Sequence, residues 1–388
     1  MSRSAVLVSG ARTPIGKCRG SLAEVPASTL ASIVMREAVK RAGIEPSELD
    51  DVVFGNLLNS EACNMARLAA LEAGFPFSVP AVTMDRQCAS GLETMAYAAA
   101  MIQAGFKDVL LAGGVESDST RTYIMEKPKA AYQVMPPQWA TYRTAPGDLN
   151  VPMGITAENV AEACGVTREE CDAFAVESHK KAAHAWEQGY FNEQIVPVTI
   201  RGKKGDVIVA ADECVRKDAS LESMAALKPA FKKDGIVTAG NSSPMNDGAG
   251  AVVIMEEGRA RSGGYAAMFR FKAYAVAGVD PRMMGLGPVE AVRKLFRQTG
   301  MTFADIDLVE LNEAFAAQSL GCIRELNIPP DKLNVNGGAI ALGHPLAGTG
   351  GILVTKLMYE LVRRGCGVGM VSFCIGGGQG AAAVIERM

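Results

Sequence analysis

Two cysteines stand in glycine-rich segments where a thiol could do chemistry. Cys88 follows an apolar, strand-like stretch and begins Cys88-Ala-Ser-Gly91 before a long helical pattern, and Cys374 comes just before the glycines at 376–378. A thiol near a helix N-terminus is expected to have a lowered pKa, which favours the thiolate nucleophile. A lone cysteine at such a turn more often packs than reacts, so Cys88 needs a neighbouring base to act as a nucleophile.

The chain has only three histidines that could supply this base. His179 and His184 lie in a charged helical stretch, and we expect them on a solvated helix face. His344 lies between a glycine and a proline in an uncharged segment, and it is the best candidate to take a proton from a cysteine. Asn312 ends an apolar strand pattern, where its amide could orient water or stabilise an oxyanion, although a strand-end asparagine also often caps a helix.

The elements that would position these residues occur twice along the chain. Residues 91–115 and 351–375 both begin with glycine, continue as a helical pattern, and reach a second glycine and an apolar strand in the same register. Residues 51–56 and 307–312 form a second pair, each an apolar strand that ends in asparagine. Because strand and helix patterns alternate, the sequence predicts an α/β fold of two similar halves with parallel strands.

The distance between the repeats exceeds the apparent length of one half, so the first half must carry an insertion. We expect three units: an N-terminal half at 1–118 plus 245–268, an inserted loop domain at 119–244, and a C-terminal half at 269–388. The insertion contains a proline-rich aromatic segment at 127–152, a helical segment at 156–189 with a capping pattern at 167–170, and a charged loop at 201–206.

Composition argues against several classes of function. The 388 residues carry 39 basic and 42 acidic side chains, which gives no basic surface for nucleic acid. No apolar run approaches the roughly 18 to 20 residues of a membrane helix, and the N-terminus lacks a signal-peptide core. The nine cysteines include no C-x-x-C pair. We therefore expect mostly buried thiols, no bound metal and a location in the reducing cytoplasm.

In their order along the chain, these and further motifs resemble those of the thiolases, which make or cleave 3-oxoacyl-CoA thioesters. The resemblance covers essentially the whole chain, and the common order of many individually weak motifs makes it specific. The motifs are Arg12-Thr-Pro-Ile-Gly16, Arg86-Gln-Cys-Ala-Ser-Gly91, Gly113-Gly-Val-Glu-Ser117, the segments 153–159, 238–243 and 246–248, Asn312-Glu-Ala-Phe315, Gly343-His-Pro345 and Cys374-Ile-Gly-Gly-Gly378.

The resemblance implies a five-layered α/β/α/β/α fold of two similar halves with an inserted loop domain. It implies that Cys88 accepts the acyl group, that His344 is its base, and that Cys374 handles the proton on the α-carbon of the acetyl-CoA unit. Asn312 would hold a water molecule that forms one oxyanion hole with His344. Backbone N–H groups of Cys88 and Gly376 would form the other hole.

Binding residues and a reaction are implied as well. Arg216, Ser243 and Phe231 would line the CoA channel, and Met153 would lie beside the acyl group. CoA would be a substrate, with no permanently bound cofactor. The reaction would be thiolytic cleavage of a 3-oxoacyl-CoA, or the reverse Claisen condensation, through an acyl group on Cys88. The family resemblance implies a homodimer or homotetramer and leaves open a small accessory subunit.

Some positions depart from the family pattern. Asp85, Asp118 and Thr349 stand where Asn, Met and Ser are common, which affects the surroundings of the site rather than its reacting groups. Pro152 replaces the histidine of short-chain acetoacetyl-CoA thiolases, which favours a degradative enzyme for a medium, bulky or aromatic acyl group. A cluster of aromatic and methionine residues supports this, although it could equally form the core of its own loop: Tyr123, Met125, Tyr132, Met135, Trp139 and Tyr142.

Four other functions compete with this interpretation. A biosynthetic acetoacetyl-CoA thiolase would use the same reacting groups. A ketosynthase shares the fold, but decarboxylative condensation needs no α-proton abstraction and hence no Cys374. A dehydrogenase is disfavoured, since no G-x-G-x-x-G opens a helix. A non-catalytic CoA-binding or lipid-binding subunit would lack the nucleophile or the base, and both are present.

Overall fold

The computed structural model describes residues 3–59, 62–125, 130, 143–203, 205–265 and 268–388. The strands within them are β1 (Ala5–Arg12), β2 (Gly16–Lys17), β3 (Asp51–Gly55), β4 (Ala81–Met84), β5 (Val109–Ser117), β6 (Val198–Ile200), β7 (Val207–Val209), β8 (Asn246–Glu256), β9 (Phe269–Gly278), β10 (Leu308–Leu311), β11 (Val368–Ile375) and β12 (Gln379–Arg387). The helices are α1 (Ala27–Arg41), α2 (Met65–Glu72), α3 (Ser90–Gln103), α4 (Met153–Cys164), α5 (Arg168–Glu187), α6 (Leu221–Ala225), α7 (Glu257–Gly263), α8 (Gly287–Thr299), α9 (Ala316–Leu326), α10 (Ala339–Leu342) and α11 (Thr349–Arg364).

Five strands of the N-terminal half form a mixed sheet in the order β4-β3-β5-β8-β1. Strand β3 pairs in parallel with β4 and β5, and β8 pairs antiparallel with β5 and β1. All residues of β1, β3 and β5 are buried. Continuous burial is the pattern of strands that are covered on both faces, so this sheet lies between two helical layers.

The C-terminal half repeats this pairing pattern. Strand β10 pairs in parallel with β11, and Val309 forms a parallel bridge to Leu333 on its other side. Strand β12 pairs antiparallel with β11 and β9. The two sheets meet where Val6 and Leu7 of β1 pair with the start of β9. The repeat predicted from the sequence is confirmed, because β3 corresponds to β10 and α3 with β5 corresponds to α11 with β11.

Alternate residues of each strand point into different layers of the core. Val52 and Phe54 of β3 pack with α1 and α2 on the outer face of the first sheet. Val53 points the other way, into a central core where α3 and α11 lie between the two sheets with Phe373 of β11. Val309 of β10 packs with α8 and α9 on the outer face of the second sheet. The layers therefore follow in the order α/β/α/β/α, which confirms the predicted fold class.

The two central helices cross near their N-termini through glycines. A Cβ atom on Gly91 of α3 would lie 2.7 Å from the Ala347 carbonyl oxygen, and one on Gly350 of α11 would lie 2.2 Å from the Leu92 nitrogen. Only glycine permits so close an approach. Because Gly91 and Gly350 are each the second residue of their helix, the crossing brings both helix N-termini to one place.

The insertion between β5 and β8 contains α4, α5, the hairpin β6–β7 and α6. The prediction of one helical segment at 156–189 is wrong, because two helices are separated by a short turn. Gly165 ends α4 in a left-handed conformation (φ 63°), and Thr167 begins α5 with the predicted capping box to Glu170. The segment 201–206, predicted as a charged loop, lies between β6 and β7 in the chain and is described except for residue 204. The domain boundaries stay a prediction, and most of the proline-rich aromatic segment lies outside the described residues.

Two other expectations concern the chain as a whole. All nine cysteines are free, but the prediction that most are buried is wrong, since only Cys171, Cys322 and Cys374 are. Across the residues that the structure describes, no helix is long and apolar enough to cross a membrane.

Candidate active site

Cys88 lies in a single turn of 3-10 helix, Gln87–Ala89, between the end of β4 and the start of α3. Gln87 has a left-handed backbone conformation (φ 47°), which is uncommon for a residue with a side chain. Its N–H donates to Asp85 Oδ1 at 2.6 Å, and its carbonyl oxygen accepts from the Ser90 hydroxyl at 2.6 Å. These bonds hold a sharp strand-to-helix turn that places Cys88 at the N-terminal end of α3.

The Cys88 thiol does not have the lowered pKa that the sequence predicted. Cys88 is partly exposed as a residue, but the protein surrounds its thiol, and this burial raises the pKa of Cys88 to about 11. Contact with the backbone N–H groups of Gly376 and of Cys88 itself offsets only part of this rise. The prediction is wrong because removing water from the sulfur outweighs the effect of the helix N-terminus. The thiol is therefore protonated near neutral pH and needs a base to react.

His344 lies in the short connection between α10 and α11. Its backbone N–H donates to Asn246 Oδ1 at 2.9 Å. The preceding residue, Gly343, has φ 114°, and a Cβ atom there would lie 2.7 Å from the Asn246 side chain. Asn246 also donates to the Gly16 carbonyl oxygen at 2.8 Å. The backbone of the histidine is thus fixed to strand β8 and to the N-terminal half.

The imidazole ring of His344 is buried and has a polar neighbour at each nitrogen. Nδ1 lies 2.7 Å from the Thr349 hydroxyl oxygen, and Nε2 lies 3.4 Å from Asn312 Nδ2. Burial lowers the pKa of His344 to about 4. The ring is therefore neutral near neutral pH, which is the protonation state that a base requires.

Asn312 follows directly after β10 and connects that strand to the histidine. Its backbone N–H donates to the Ser372 carbonyl oxygen of β11 at 2.9 Å. Its side-chain Oδ1 is buried and has no hydrogen-bond partner among the described residues. A buried amide oxygen without a partner is costly unless a ligand or water binds it, so this atom marks a place where one is accepted.

Cys374 lies near the end of β11 and is buried. Burial, followed by the neighbouring Cys88, raises the pKa of its thiol well above the ordinary value. Strand β11, which carries Cys374, packs against the turn Gln87–Ala89, which carries Cys88. The turn that follows uses left-handed glycines, Gly377 at φ 76° and Gly378 at φ 79°. A second cysteine thus stands beside the first, in a protonated form that can donate a proton.

Glu116 of β5 connects the N-terminal half to the segment that follows His344. Its carboxyl oxygens accept from the N–H groups of Leu57 and Leu58 at 3.2 and 2.8 Å and from the Ala347 N–H at 3.4 Å. Burial raises the pKa of Glu116 to about 8. The segment that follows His344 is therefore anchored to the N-terminal half, where the Cys88 turn begins.

The four predicted binding residues fall into two groups. Met153 packs against Cys374, Met284 and Ala314, next to Phe315. Phe231 stacks edge-on against Phe315 with a ring-centroid distance of 6.0 Å. Ser243 donates its N–H to the Ala314 carbonyl oxygen at 3.0 Å. One wall of the site therefore starts at Cys374 and is lined by Met153, Phe231 and Ser243.

Arg216 lies apart from this wall, at a cavity of about 150 Å³. The cavity is also lined by His179, Cys214, Ser242, Pro244 and Ile340. Because Ser242 and Pro244 flank Ser243, the cavity adjoins the wall described above. The arginine side chain is exposed, which suits it to an anionic group such as a phosphate.

The prediction that His179 lies on a solvated helix face is wrong. It is buried, and its Nδ1 accepts the backbone N–H of Arg216 at 3.1 Å. Burial lowers the pKa of His179 to about 4. The sequence did not reveal this role, because the charged neighbours Lys180 and Lys181 obscured which face of α5 is covered. His184, on the same helix, is exposed as predicted.

Comparison with known proteins settles the family. The profile described as "Thiolase, N-terminal domain" matches residues 5–258, and that described as "Thiolase, C-terminal domain" matches residues 265–387. The chain belongs to the thiolase family. An acetyl-CoA acetyltransferase of Syntrophomonas wolfei is 44% identical to this thiolase over 100% of both chains. A 3-ketoacyl-CoA thiolase of Bacillus subtilis is 44% identical and covers 99% of both chains.

A solved structure agrees with the fold of this thiolase. The crystal structure of the Bacillus anthracis acetyl-CoA acetyltransferase matches it with a TM-score of 0.95 and 42% identity, over 100% of this chain and 99% of the other. This thiolase is an enzyme of the acyltransferase class. Among the described residues, no group of three His, Cys, Asp or Glu side chains is arranged to hold a metal ion.

Proposed function

We propose that this thiolase cleaves a 3-oxoacyl-CoA with CoA through an acyl group on Cys88, or runs the same steps in reverse. One observation carries the proposal. Strand β11, which carries Cys374, packs against the turn that carries Cys88, and the Gly376 N–H contacts the Cys88 thiol. A single nucleophile would need only one thiol, whereas this reaction needs a nucleophile and a separate proton donor.

In the first step, the Cys88 thiol adds to the 3-oxo carbonyl carbon while His344 takes its proton. The bond between C2 and C3 of the substrate then breaks, and its electron pair forms the enolate of acetyl-CoA. The Cys374 thiol gives the enolate carbon a proton, so acetyl-CoA leaves and the remaining acyl group stays on Cys88. The high pKa of Cys374 suits this step, since the thiol is protonated before the enolate forms.

Two oxyanions form along this path, and each has a set of donors. Backbone N–H groups of Cys88 and Gly376 would stabilise the oxygen of the acyl group. Asn312 would hold a water molecule that, with His344, stabilises the enolate oxygen; its unpartnered Oδ1 supports this role. In the second step, the Cys374 thiolate takes the proton of the CoA thiol, and the CoA sulfur attacks the acyl-Cys88 thioester. The bond between Cys88 and the acyl group breaks, His344 returns its proton to the Cys88 thiolate, and the shortened acyl-CoA leaves.

For the substrate, we infer a medium, bulky or aromatic acyl group and a degradative direction. Met153 supports this because a flexible, polarisable side chain beside Cys374 can adapt to a large apolar group. Pro152 precedes it without a polar side chain. Tyr132, Met135, Trp139 and Tyr142 lie outside the described residues, while Tyr123 and Met125 are exposed. The competing substrate is acetoacetyl-CoA in a biosynthetic enzyme.

CoA is proposed as a substrate that binds through Arg216, Ser243 and Phe231, with no permanently bound cofactor. A non-catalytic CoA-binding or lipid-binding subunit is the alternative from another class, and the joint presence of both thiols, His344 and Asn312 argues against it. The cytoplasmic location and the accessory subunit stay predictions. A homodimer or homotetramer is also proposed, and β4 supports it, because this edge strand could pair with a second copy.

Two measurements test these proposals. The first is thiolysis of a panel of 3-oxoacyl-CoA substrates from four to twelve or so acyl carbons, followed by loss of absorbance of the enolate. We expect turnover by the wild type and none above background by Cys88→Ala. No turnover of any member would favour the non-catalytic subunit. The second is light scattering, where a particle of 40.8 kDa at micromolar concentration would contradict the oligomer.

A further inference from the structure

We propose that Thr349 is the positioning residue of His344: its hydroxyl occupies Nδ1 and leaves Nε2 as the ring nitrogen that exchanges protons. Thr349 is the first residue of α11 and is buried, and its Oγ1 lies 2.7 Å from Nδ1. The inference rests on the proposed function, because it assigns how the base of that reaction is aimed.

The chain between the two residues is built to bring them together. The Leu346 N–H donates to the His344 carbonyl oxygen at 2.9 Å, and the Gly348 N–H donates to the Pro345 carbonyl oxygen at 2.7 Å. Leu346 has a positive φ of 24°, which is strained for a residue with a branched side chain. This tight double turn folds the start of α11 back over the imidazole ring. The strain is retained because it places the hydroxyl at Nδ1.

The opposite side of the ring faces Asn312. Nε2 lies 3.4 Å from Asn312 Nδ2, and the Asn312 Oδ1 has no partner among the described residues. With Nδ1 occupied, only Nε2 can take a proton from Cys88 or donate to an oxyanion. A base at Nε2 requires the ring proton on Nδ1, so in this state Nδ1–H donates to the Thr349 hydroxyl oxygen, and this one hydrogen bond sets the orientation of the ring.

A hydroxyl differs from the carboxylate that orients histidine in many hydrolases. A carboxylate stabilises the imidazolium and raises the basicity of the ring, whereas a hydroxyl carries no charge and can either donate or accept. Burial alone lowers the pKa of His344, with no contribution from a charged group. We infer that Thr349 orients the imidazole ring without stabilising the imidazolium form. His344 can therefore return the proton to a leaving thiolate.

The test uses Thr349→Val, which keeps the shape and removes the hydroxyl, and Thr349→Ser, which keeps the hydroxyl. Thr355→Val is the matched control, because Thr355 lies in the same helix and its buried hydroxyl has no partner in the described part of the chain. We expect Thr349→Val to lower kcat/KM for thiolysis by roughly 10-fold to 100-fold. Thr349→Ser and Thr355→Val should stay within about threefold of the wild type.

The second measurement is the rate at which iodoacetamide alkylates Cys88, followed by mass spectrometry from pH 6 to 10. In Thr349→Val the rate near pH 7 should fall and the profile should shift toward higher pH. In a His344→Ala background the same substitution should change nothing further. Equal losses in both backgrounds would show a merely structural role and overturn the proposal, as would a Thr349→Ser variant as slow as Thr349→Val.

This design separates the two proposals. If the wild type cleaves no 3-oxoacyl-CoA, the proposed function fails, but the alkylation cycle still reports whether Thr349 acts through His344. If Thr349→Val does not fold, Thr349→Ala replaces it in the same cycle, with thermal melting as the check on folding. A Thr349→Ala rate at pH 7 equal to that of the wild type would contradict the proposal.

Discussion

Gln87 covers Gly376 so closely that a Cβ atom on the glycine would lie 2.0 Å from the Gln87 Oε1 atom. The two residues belong to different halves of the molecule: one precedes Cys88, the proposed nucleophile, and the other follows Cys374. The turn that carries the proposed nucleophile and the turn that carries the proposed oxyanion donor are therefore packed directly against each other. Moving either turn changes both the attack geometry and the stabilisation of the oxyanion.

Gly376→Ala should accordingly impair catalysis far more than stability. The new methyl group would displace the Gln87 side chain and shift the Gly376 N–H away from the Cys88 sulfur. Loss of one oxyanion donor typically lowers the rate by roughly 10²-fold to 10³-fold, and we expect a fall of this order in kcat/KM for thiolysis. Gly278→Ala is the control, because the nearest atom to its Cβ position is 3.9 Å away. Wild-type kinetics in Gly376→Ala would show that the contact is unimportant.

Cys374→Ser should distinguish the roles of the two thiols, Cys88 and Cys374. If Cys374 handles the α-proton, the variant still accepts an acyl group on Cys88 but loses exchange of the acetyl-CoA α-hydrogens with solvent. The exchange can be followed in deuterium oxide by mass spectrometry of acetyl-CoA. Cys171→Ser, which alters a buried thiol in α5, is the control and should exchange normally. Exchange at the wild-type rate in Cys374→Ser would assign the proton transfer to another group.

The buried histidines predict loss of stability in acid. The pKa of His179 is about 4 in the folded chain, against 6.5 for an ordinary histidine. Between pH 6.5 and 4 the unfolded chain binds a proton that the folded chain does not, so stability falls as the pH falls, by up to roughly 1.4 kcal/mol per pH unit. We expect Tm to fall less steeply over this range in His179→Asn, whose amide oxygen can still accept the Arg216 N–H. The exposed His184→Asn is the control, and identical slopes in all three proteins would refute the assignment.

Met153→Ala tests the proposed acyl group. If Met153 contacts the acyl chain, the variant should lose more kcat/KM with longer 3-oxoacyl-CoA substrates than with acetoacetyl-CoA. Each buried methylene contributes about 0.8 kcal/mol, which is roughly a fourfold change. Met301→Ala, a partly buried methionine in the outer core of the C-terminal half, should leave the ranking unchanged. Acetoacetyl-CoA as the best substrate of the wild type would identify a short-chain enzyme instead.

Much of the fold could be predicted because the sequence contains an internal repeat that corresponds to its two similar halves. The glycines at 91 and 351 begin the two helical repeats, and the structure shows why glycine is required where α3 and α11 cross. The same repetition related β3 to β10, so the strand that ends at Asn312 could be identified. The sequence predicted the capping box at 167–170, but the break before it was missed because helical periodicity continues on both sides of Gly165, whose left-handed φ ends α4.

The site was less completely predicted, since its energetics depend on packing between distant segments. Cys88 was expected to have a lowered pKa from its place at a helix N-terminus, but the covering turn at Gly376 comes from nearly 290 residues further along the chain and excludes water. Thr349 was recognised only as a departure from Ser. Thr and Ser both carry a hydroxyl. The contact between the Thr349 hydroxyl and His344 depends on a strained turn that no local sequence pattern indicates.

The most direct test of the account is the site of the acyl group. The protein is incubated with a 3-oxoacyl-CoA without free CoA, quenched in acid, digested and examined by mass spectrometry. The account predicts one acyl group on the peptide that contains Cys88, its loss on addition of CoA, and its absence in Cys88→Ala. An acyl group on any other cysteine, or turnover without a covalent intermediate, would contradict it.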